Sequence, residues 1–245
     1  DGRENSQGVS KGSRMNTETP KLMRIGIDGN EANIKNRVGS NVYAFELIRH
    51  VELLTRNFPN YQFTVFLSGR KVGDMPAPRP GWEYYYLKSG KFATQWSLPL
   101  TLFKVRNQFD LFFTPGHYAP RLCPIPYVSC VMDLAFLYFP KQFKMKDYWQ
   151  LKLWTKYSVK KARHVIAISE WTKQDIQTQY GIKPEKISVV YPSANVLPFK
   201  KESPKYRQEV LYKFNIHNPY ILYVGTLPPR KSLARSVDAF QHLAL

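Results

Sequence analysis

His164–Ile182 reads HVIAISEWTKQDIQTQYGI. These 19 residues hold an apolar strand, a serine suited to capping a helix at Ser169, the helix itself and a glycine stop at Gly181. One strand feeding directly into one helix is the repeating unit of an α/β fold. The surrounding sequence repeats it. Downstream, KISVVYP (186–192) adds another strand. Upstream, FDLFFTPG (109–116) and IPYVSCVMDL (125–134) are continuous apolar runs, as expected of parallel strands covered by helices on both faces.

The N-terminal part follows the same plan. LMRIGIDG (22–29) is a strand and a turn, and NEANIKNRVGS is a polar loop. Tyr43, Leu47, Val51 and Leu54, with Ala44 and Ile48 alongside, then recur at helical spacing. YQFTVFLSG is a second strand closed by Gly69, and PAPRPGWEYYYL leads through a Pro-rich connection into a third. Gln95–Arg106 has helical spacing, with Pro99 best placed in the first turn. Strands alternating with helices predict an α/β fold, a Rossmann-like doubly wound parallel sheet.

Residues 1–21 read as a disordered tail, since 1–14 are polar and without period, and Met15 and Met23 are both plausible natural starts. The first domain is expected over 22–191 and a Pro/Ser/Lys/Asn-rich linker over 192–219, with a short helix near 206–214. The stretch 220–245 reads as the first βα unit of a second Rossmann-like domain, with YILYVG as its strand.

A formal charge of +18 favours anionic partners: phosphates, acidic headgroups or nucleic acid. No recognisable nucleic-acid motif accompanies it, so nucleic acid is not the expected partner. Cys123 and Cys130 have no metal-ligand spacing, which predicts no metal site and fits two reduced thiols in a cytoplasmic protein. No apolar run is long enough to cross a bilayer, so peripheral attachment to the inner face of a membrane is the membrane role left open.

Candidate site residues lie where strands end, because an open α/β sheet binds ligands at the carboxyl ends of its strands. Gly39 follows the first strand and precedes its helix, where its missing Cβ would let a phosphate approach; the plain alternative is a turn. Gly225, Arg230 and Lys231 converge with Ser232 on a second helix start, which suits a diphosphate; surface solvation would also explain the two cations. Asp133, a candidate catalytic residue, ends a strand, where it could orient a sugar hydroxyl or a partner base, or simply cap the LAF turn after it. His117, in TPGHYAP, follows another strand end and is the other candidate catalytic residue; a plain loop histidine is the alternative. In 141–163, Lys152, Lys156, Lys160 and Arg163 share a helical face with Trp149, while Leu151, Leu153, Trp154, Tyr157 and Ala162 spread over the other. That face suits an anionic membrane or an acceptor-side anion; a solvated face on a packed helix is the alternative.

In order, these segments resemble the GT-B glycosyltransferases of the glycosyltransferase group 1 type, family 4. YILYVGTLPPRKSLARSVDAF is similar to that family's strand–GTxxPRKN–helix opening of the donor domain. DLAFLYFPKQF is similar to its HDLAFxxFPxxF segment, and VIAISEWTKQDI…YGIKPEKISVVYP to its VIAVSExTxxDLxxxYGVPPEKIxVVxNG. The resemblance implies two facing Rossmann-like domains, the acceptor mainly on the first and a nucleotide-sugar donor mainly on the second. It implies transfer of a hexose, mannose commonly, to a glycan or lipid-linked acceptor, with retention and without an obligatory metal or other cofactor. Lys231 and Arg230 would meet the donor diphosphate, and Gly39 would belong to the glycine loop near the phosphates. The sequence departs from the family in three places: Met132 replaces the histidine before Asp133, GSNVY replaces GxGRY, and Ser193-Ala194 replaces Asn-Gly. The family's ExxxxxxxE donor motif would lie past Leu245, so the chain by itself is expected to be inactive. A non-catalytic relative that keeps the fold as a scaffold or regulator is the rival expectation, and a basic nucleic-acid-binding protein a weaker one.

Overall fold

The computed structural model describes residues 21–87, 97–116, 118–193, 202–225, 227 and 229–243. Seven parallel strands form one sheet: β1 Met23–Asp28, β2 Tyr61–Leu67, β3 Trp82–Tyr86, β4 Leu111–Thr114, β5 Tyr127–Val131, β6 His164–Ala167 and β7 Ile187–Val189. Their order is β3-β2-β1-β4-β5-β6-β7. The chain builds outward from β1 in one direction, then returns to place β4 on its other side, pairing Ile25 with Leu111 and Ile27 with Phe113. That reversal leaves a crevice at the carboxyl ends of β1 and β4, where the flanking loops part to opposite faces.

The apolar runs are continuous because both faces of the sheet are covered. On β2, Phe63, Val65 and Leu67 pack to one side with Ile27, Ala44, Ile48 and Trp82. Phe66 packs to the other with Phe112, Leu98, Leu102, Val131 and Ile176. Helix α1 (Ser40–Thr55) covers the first face; α2 (Leu98–Val105), α4 (Met145–Lys161) and α5 (Glu170–Tyr180) contribute to the second. A short α3 (Ala135–Tyr138) follows β5.

The strand, cap, helix and glycine stop of 164–182 form as expected. Ser169 Oγ accepts the Thr172 N–H at 3.1 Å, and Gly181 closes α5 in the left-handed region at φ 66°. Pro99 sits in the first turn of α2. On α1 the buried stripe is turned from the expected one. Ala44, Ile48 and Glu52 are buried, whereas Leu54 is exposed. Glu52 can replace an apolar residue there because Arg79 Nε and Arg56 Nη2 hold its carboxylate at 2.6 and 2.9 Å.

Two further expectations are corrected. Tyr220–Val224 is no strand: its backbone joins none of the seven, and Ile221, Leu222 and Val224 are exposed. A strand needs a neighbour to take its amides and carbonyls. Leu153, expected on the packed side of α4, points outward, while the buried side is Thr155, Ser158 and Val159. The linker helix forms as α6 (Pro204–Lys213), capped by Ser203, and α7 (Leu233–Leu243) follows the basic loop.

Candidate active site

A cleft of about 760 Å³ opens at the carboxyl ends of β1 and β4. Its floor is acidic. Asp28, the last residue of β1, accepts from Asn30 N and Nδ2 at 3.1 and 2.7 Å, both on Oδ1. Three residues on, Glu31 accepts from Ser40 Oγ at 2.6 Å and Asn41 Nδ2 at 3.0 Å, both on Oε1. Among the described residues, Asp28 Oδ2 and Glu31 Oε2 have no hydrogen-bond partner. Each carboxylate is therefore fixed through one oxygen and keeps the other for a ligand. Burial pushes the Asp28 carboxyl above the usual range, and the nearby Glu31 adds to the shift against the Asn30 bonds.

The walls are apolar and aromatic. Trp154 of α4 meets Tyr118 edge to face, centroids 5.1 Å apart, and Gln150 Nε2 donates to Tyr118 Oη at 2.6 Å. Tyr157 extends this wall, Leu100 and Phe103 of α2 face it, and Arg121 and Leu122 lie on the exposed rim. Unpaired carboxylate oxygens beside flat aromatic faces suit a hydroxyl-rich ring, which presents O–H donors at its edge and C–H groups on its faces.

Of the expected residues, Gly39 adjoins the cleft through Glu31, which lines it. Gly39 is the N-cap of α1, with φ 51° and nothing within 4 Å of where a Cβ would project. The Glu31 bonds to Ser40 and Asn41 pin this turn to the end of β1. Asp133 takes the capping role: its Oδ1 accepts the Ala135 N–H at 2.9 Å, and its side chain is exposed at the carboxyl end of β5. Met132 is buried, and its carbonyl accepts from Thr172 Oγ1. His117 lies outside the described residues.

The basic loop is partly assembled. A Cβ on Gly225 would lie 3.3 Å from Lys231 Nζ and 3.2 Å from Tyr223 Oη, so glycine lets that ammonium lie against the backbone. Pro229–Lys231 forms one 3₁₀ turn ahead of α7, which places Arg230 and Lys231 there. Pro229 and Ser232, on either side of Lys231, border a groove with Phe139 and Gln142 of the segment after Asp133. On α4, Lys156 and Lys160 are exposed as expected, but Lys152 leans back: its Nζ donates to Tyr148 Oη at 3.0 Å and lies 5.0 Å from the Trp149 ring centroid. Burial pushes the Cys123 thiol up to about 11 and Cys130 up to about 12, so neither is a thiolate nucleophile at neutral pH. Among the described residues, no three His, Cys, Asp or Glu side chains gather as a metal ion would require.

Residues 39–196, more than half of the chain, match the model of Glycosyltransferase Family 4. The chain belongs to that family. A stretch of 78 residues is 40% identical to the O-antigen chain mannosyltransferase RfbU of Salmonella typhimurium, covering 31% of this chain and 22% of that protein. Among solved structures, Anabaena HepE in complex with UDP-glucose is similar at a TM-score of 0.50 and 14% identity, over 79% of this chain and 50% of that one. A glycosyltransferase from Rickettsia africae gives 0.43 and 13%, over 81% and 50%. The chain spans about half the length of these solved relatives.

Asp28 and Glu31 are the residues that sequence reasoning missed. The signal was present in IGIDGNE, an acid at a strand end, the same pattern that drew attention to Asp133.

Proposed function

We propose that the whole protein is a retaining hexosyltransferase that takes a sugar from a nucleotide-diphosphate donor and passes it to a hydroxyl of a glycan or lipid-linked acceptor held in the cleft of this domain. The carrying observation is the pair of half-fixed carboxylates, Asp28 and Glu31, beneath the Tyr118–Trp154 wall. Family membership supports glycosyl transfer, and the mannosyltransferase similarity supports mannose as the first sugar to try. In this reading Asp28 and Glu31 accept hydrogen bonds from acceptor hydroxyls, and the aromatic wall orients the ring so that one hydroxyl faces the donor. Lys231 and Arg230, with the backbone at Gly225 and Gly39, offset the negative charge that develops on the departing diphosphate. No metal ion is assigned a part.

The test uses the full-length enzyme with nucleoside-diphosphate hexoses and a panel of glycan and lipid-linked acceptors, reading the product's anomeric configuration by NMR. A new glycosidic bond with the donor's configuration supports the proposal. Inverted product removes the retaining part. Binding of both substrates without any transfer favours the scaffold reading.

A further inference from the structure

The loop after β4 carries a tyrosine that is held by its backbone, its ring and its oxygen. Thr114, the last residue of β4, donates from Oγ1 to the Tyr118 carbonyl at 3.3 Å, and Ser158 of α4 accepts the Ala119 N–H on its Oγ at 2.8 Å. Both hydroxyls belong to buried residues. Tyr127 Oη donates to the Ser158 carbonyl at 2.9 Å, which fixes that turn of the helix. The Tyr118 ring meets the Trp154 ring edge to face, and Gln150 Nε2 donates to its oxygen. Each part is set by a separate contact, so the hydroxyl is aimed before any ligand arrives.

One bond of that hydroxyl remains to be made. The Gln150 amide is the donor, so the phenol oxygen accepts, and among the described residues no group takes the Tyr118 O–H. Burial holds the phenol above its usual range; the Gln150 bond opposes this, and Glu31, Asp28 and Asp147 add to it, so the proton stays at neutral pH. Tyr118 lines the cleft with Asp28 and Glu31. Glu31 reaches the same loop: Oε2, the oxygen it keeps free, lies 3.9 Å from where a Cβ on Gly116 would stand, two residues before Tyr118. The cleft therefore offers a fixed donor beside a fixed acceptor.

We propose that Tyr118 is a specificity residue that reads one non-reacting hydroxyl of the acceptor sugar. Its O–H donates to that hydroxyl's oxygen, and the hydroxyl's own hydrogen goes to Glu31 Oε2. Only a hydroxyl satisfies both partners, because it donates and accepts at once. An ether oxygen has nothing to donate to Glu31, a protonated amine accepts nothing from Tyr118, and a deoxy carbon does neither. From Gln150 through Tyr118 and the hydroxyl to Glu31, every bond donates in the same direction, so each polarises the next. This hydroxyl is not the one that reacts, since a lone pair engaged by Tyr118 is withdrawn from the donor sugar. The substrate class is an acceptor with a free hydroxyl at this position; a sugar deoxygenated or substituted there is refused. The inference rests on the cleft holding the acceptor.

The test measures binding of methyl hexopyranosides to the full-length enzyme by ligand-observed NMR titration and compares the tightest with its monodeoxy analogues. For wild type, one deoxy analogue should bind about tenfold or more weaker, because it leaves both partners unpaired. Tyr118→Phe should weaken the parent glycoside about three- to tenfold, as loss of one neutral hydrogen bond does, and leave that deoxy analogue's affinity unchanged. Gln150→Glu supplies a carboxylate that takes the Tyr118 proton. It should reproduce the loss at the same hydroxyl and add nothing on top of Tyr118→Phe. A Tyr118→Phe effect that falls on all analogues alike, or on none, would overturn the proposal, since a packing role makes no distinction among hydroxyls. So would a Glu31→Gln loss that falls on a different hydroxyl. Those outcomes leave the acceptor in the cleft as long as Glu31→Gln weakens the parent. Binding indifferent to Glu31→Gln, or no glycoside binding at all, removes the acceptor from the cleft and this proposal with it.

Discussion

Asp28 sits where burial raises its carboxyl above the usual range, a shift that Asn30 opposes and the nearby Glu31 increases. The folded protein therefore holds the Asp28 proton to higher pH than the unfolded chain does. Stability from this group is fully present below the unfolded carboxyl range and is lost as pH rises through the raised folded value. Asp28→Asn keeps an oxygen that can accept from Asn30 and removes the charge. Its melting temperature should exceed wild type at pH 7 and equal it near pH 3. A gain of the same size at both pH values would show that charge burial is not the cause. A carboxylate kept at such a cost suits a binding role rather than a structural one. The sequence offered Asp28 and Asp133 on equal terms, as acids at strand ends. Both cap their own loops two residues on, and the sequence did not separate the one that also lines the cleft, because the cleft depends on which strands become neighbours across 80 or so residues.

At the scale of elements, local chemistry was legible wherever partners lie close in sequence. The Ser169 cap, the Gly181 stop and Pro99 in the first turn of α2 all depend on residues within one helical turn. Gly181→Ala should cost about 1 kcal/mol from backbone strain alone, since a Cβ there meets nothing within 4 Å. A cost near zero in chemical denaturation would mean that the turn relaxes. What stayed hidden was which side of a helix faces inward. On α1, Glu52 occupies the buried stripe because Arg79 arrives from the far end of β2's connection, 27 residues away. Glu52→Ala should destabilise by about 2 kcal/mol, less than for a fully dry pair because Arg56 reaches solvent. Arg56 and Arg79 hold the Glu52 carboxyl below its usual range, their hydrogen bonds outweighing the effect of burial. This contribution is present above the unfolded carboxyl range and fades as pH falls through the depressed folded value, the reverse of Asp28. A Glu52→Ala deficit that grows on acidification would contradict the assignment. On α4 the outcome for Leu153 was legible: at about 100° per residue it falls next to Lys160, and it stands outside with the lysines rather than on the packed side.

For the whole molecule, the alternation of strands and helices announced a parallel, doubly wound sheet, and all seven strands follow it. The alternation does not state the strand order. The reversal between β1 and β4 turns two separate loop ends, IDGNE and TPG, into one cleft. The strand expected at 220–225 shows the complementary limit: apolar, β-prone residues do not make a strand without a neighbour to pair with. The proposed function divides the labour, with the acceptor in the Asp28–Glu31 cleft and the donor diphosphate at the Lys231 loop. Separate donor and acceptor KM values for two variants of the full-length enzyme test it most directly. Glu31→Gln should raise the acceptor KM by about tenfold, the value of one charge-assisted hydrogen bond, and leave the donor KM unchanged. Lys231→Ala should raise the donor KM by about ten- to a hundredfold and leave the acceptor KM unchanged. A donor KM that moves with Glu31→Gln, or an acceptor KM that does not, would contradict the account.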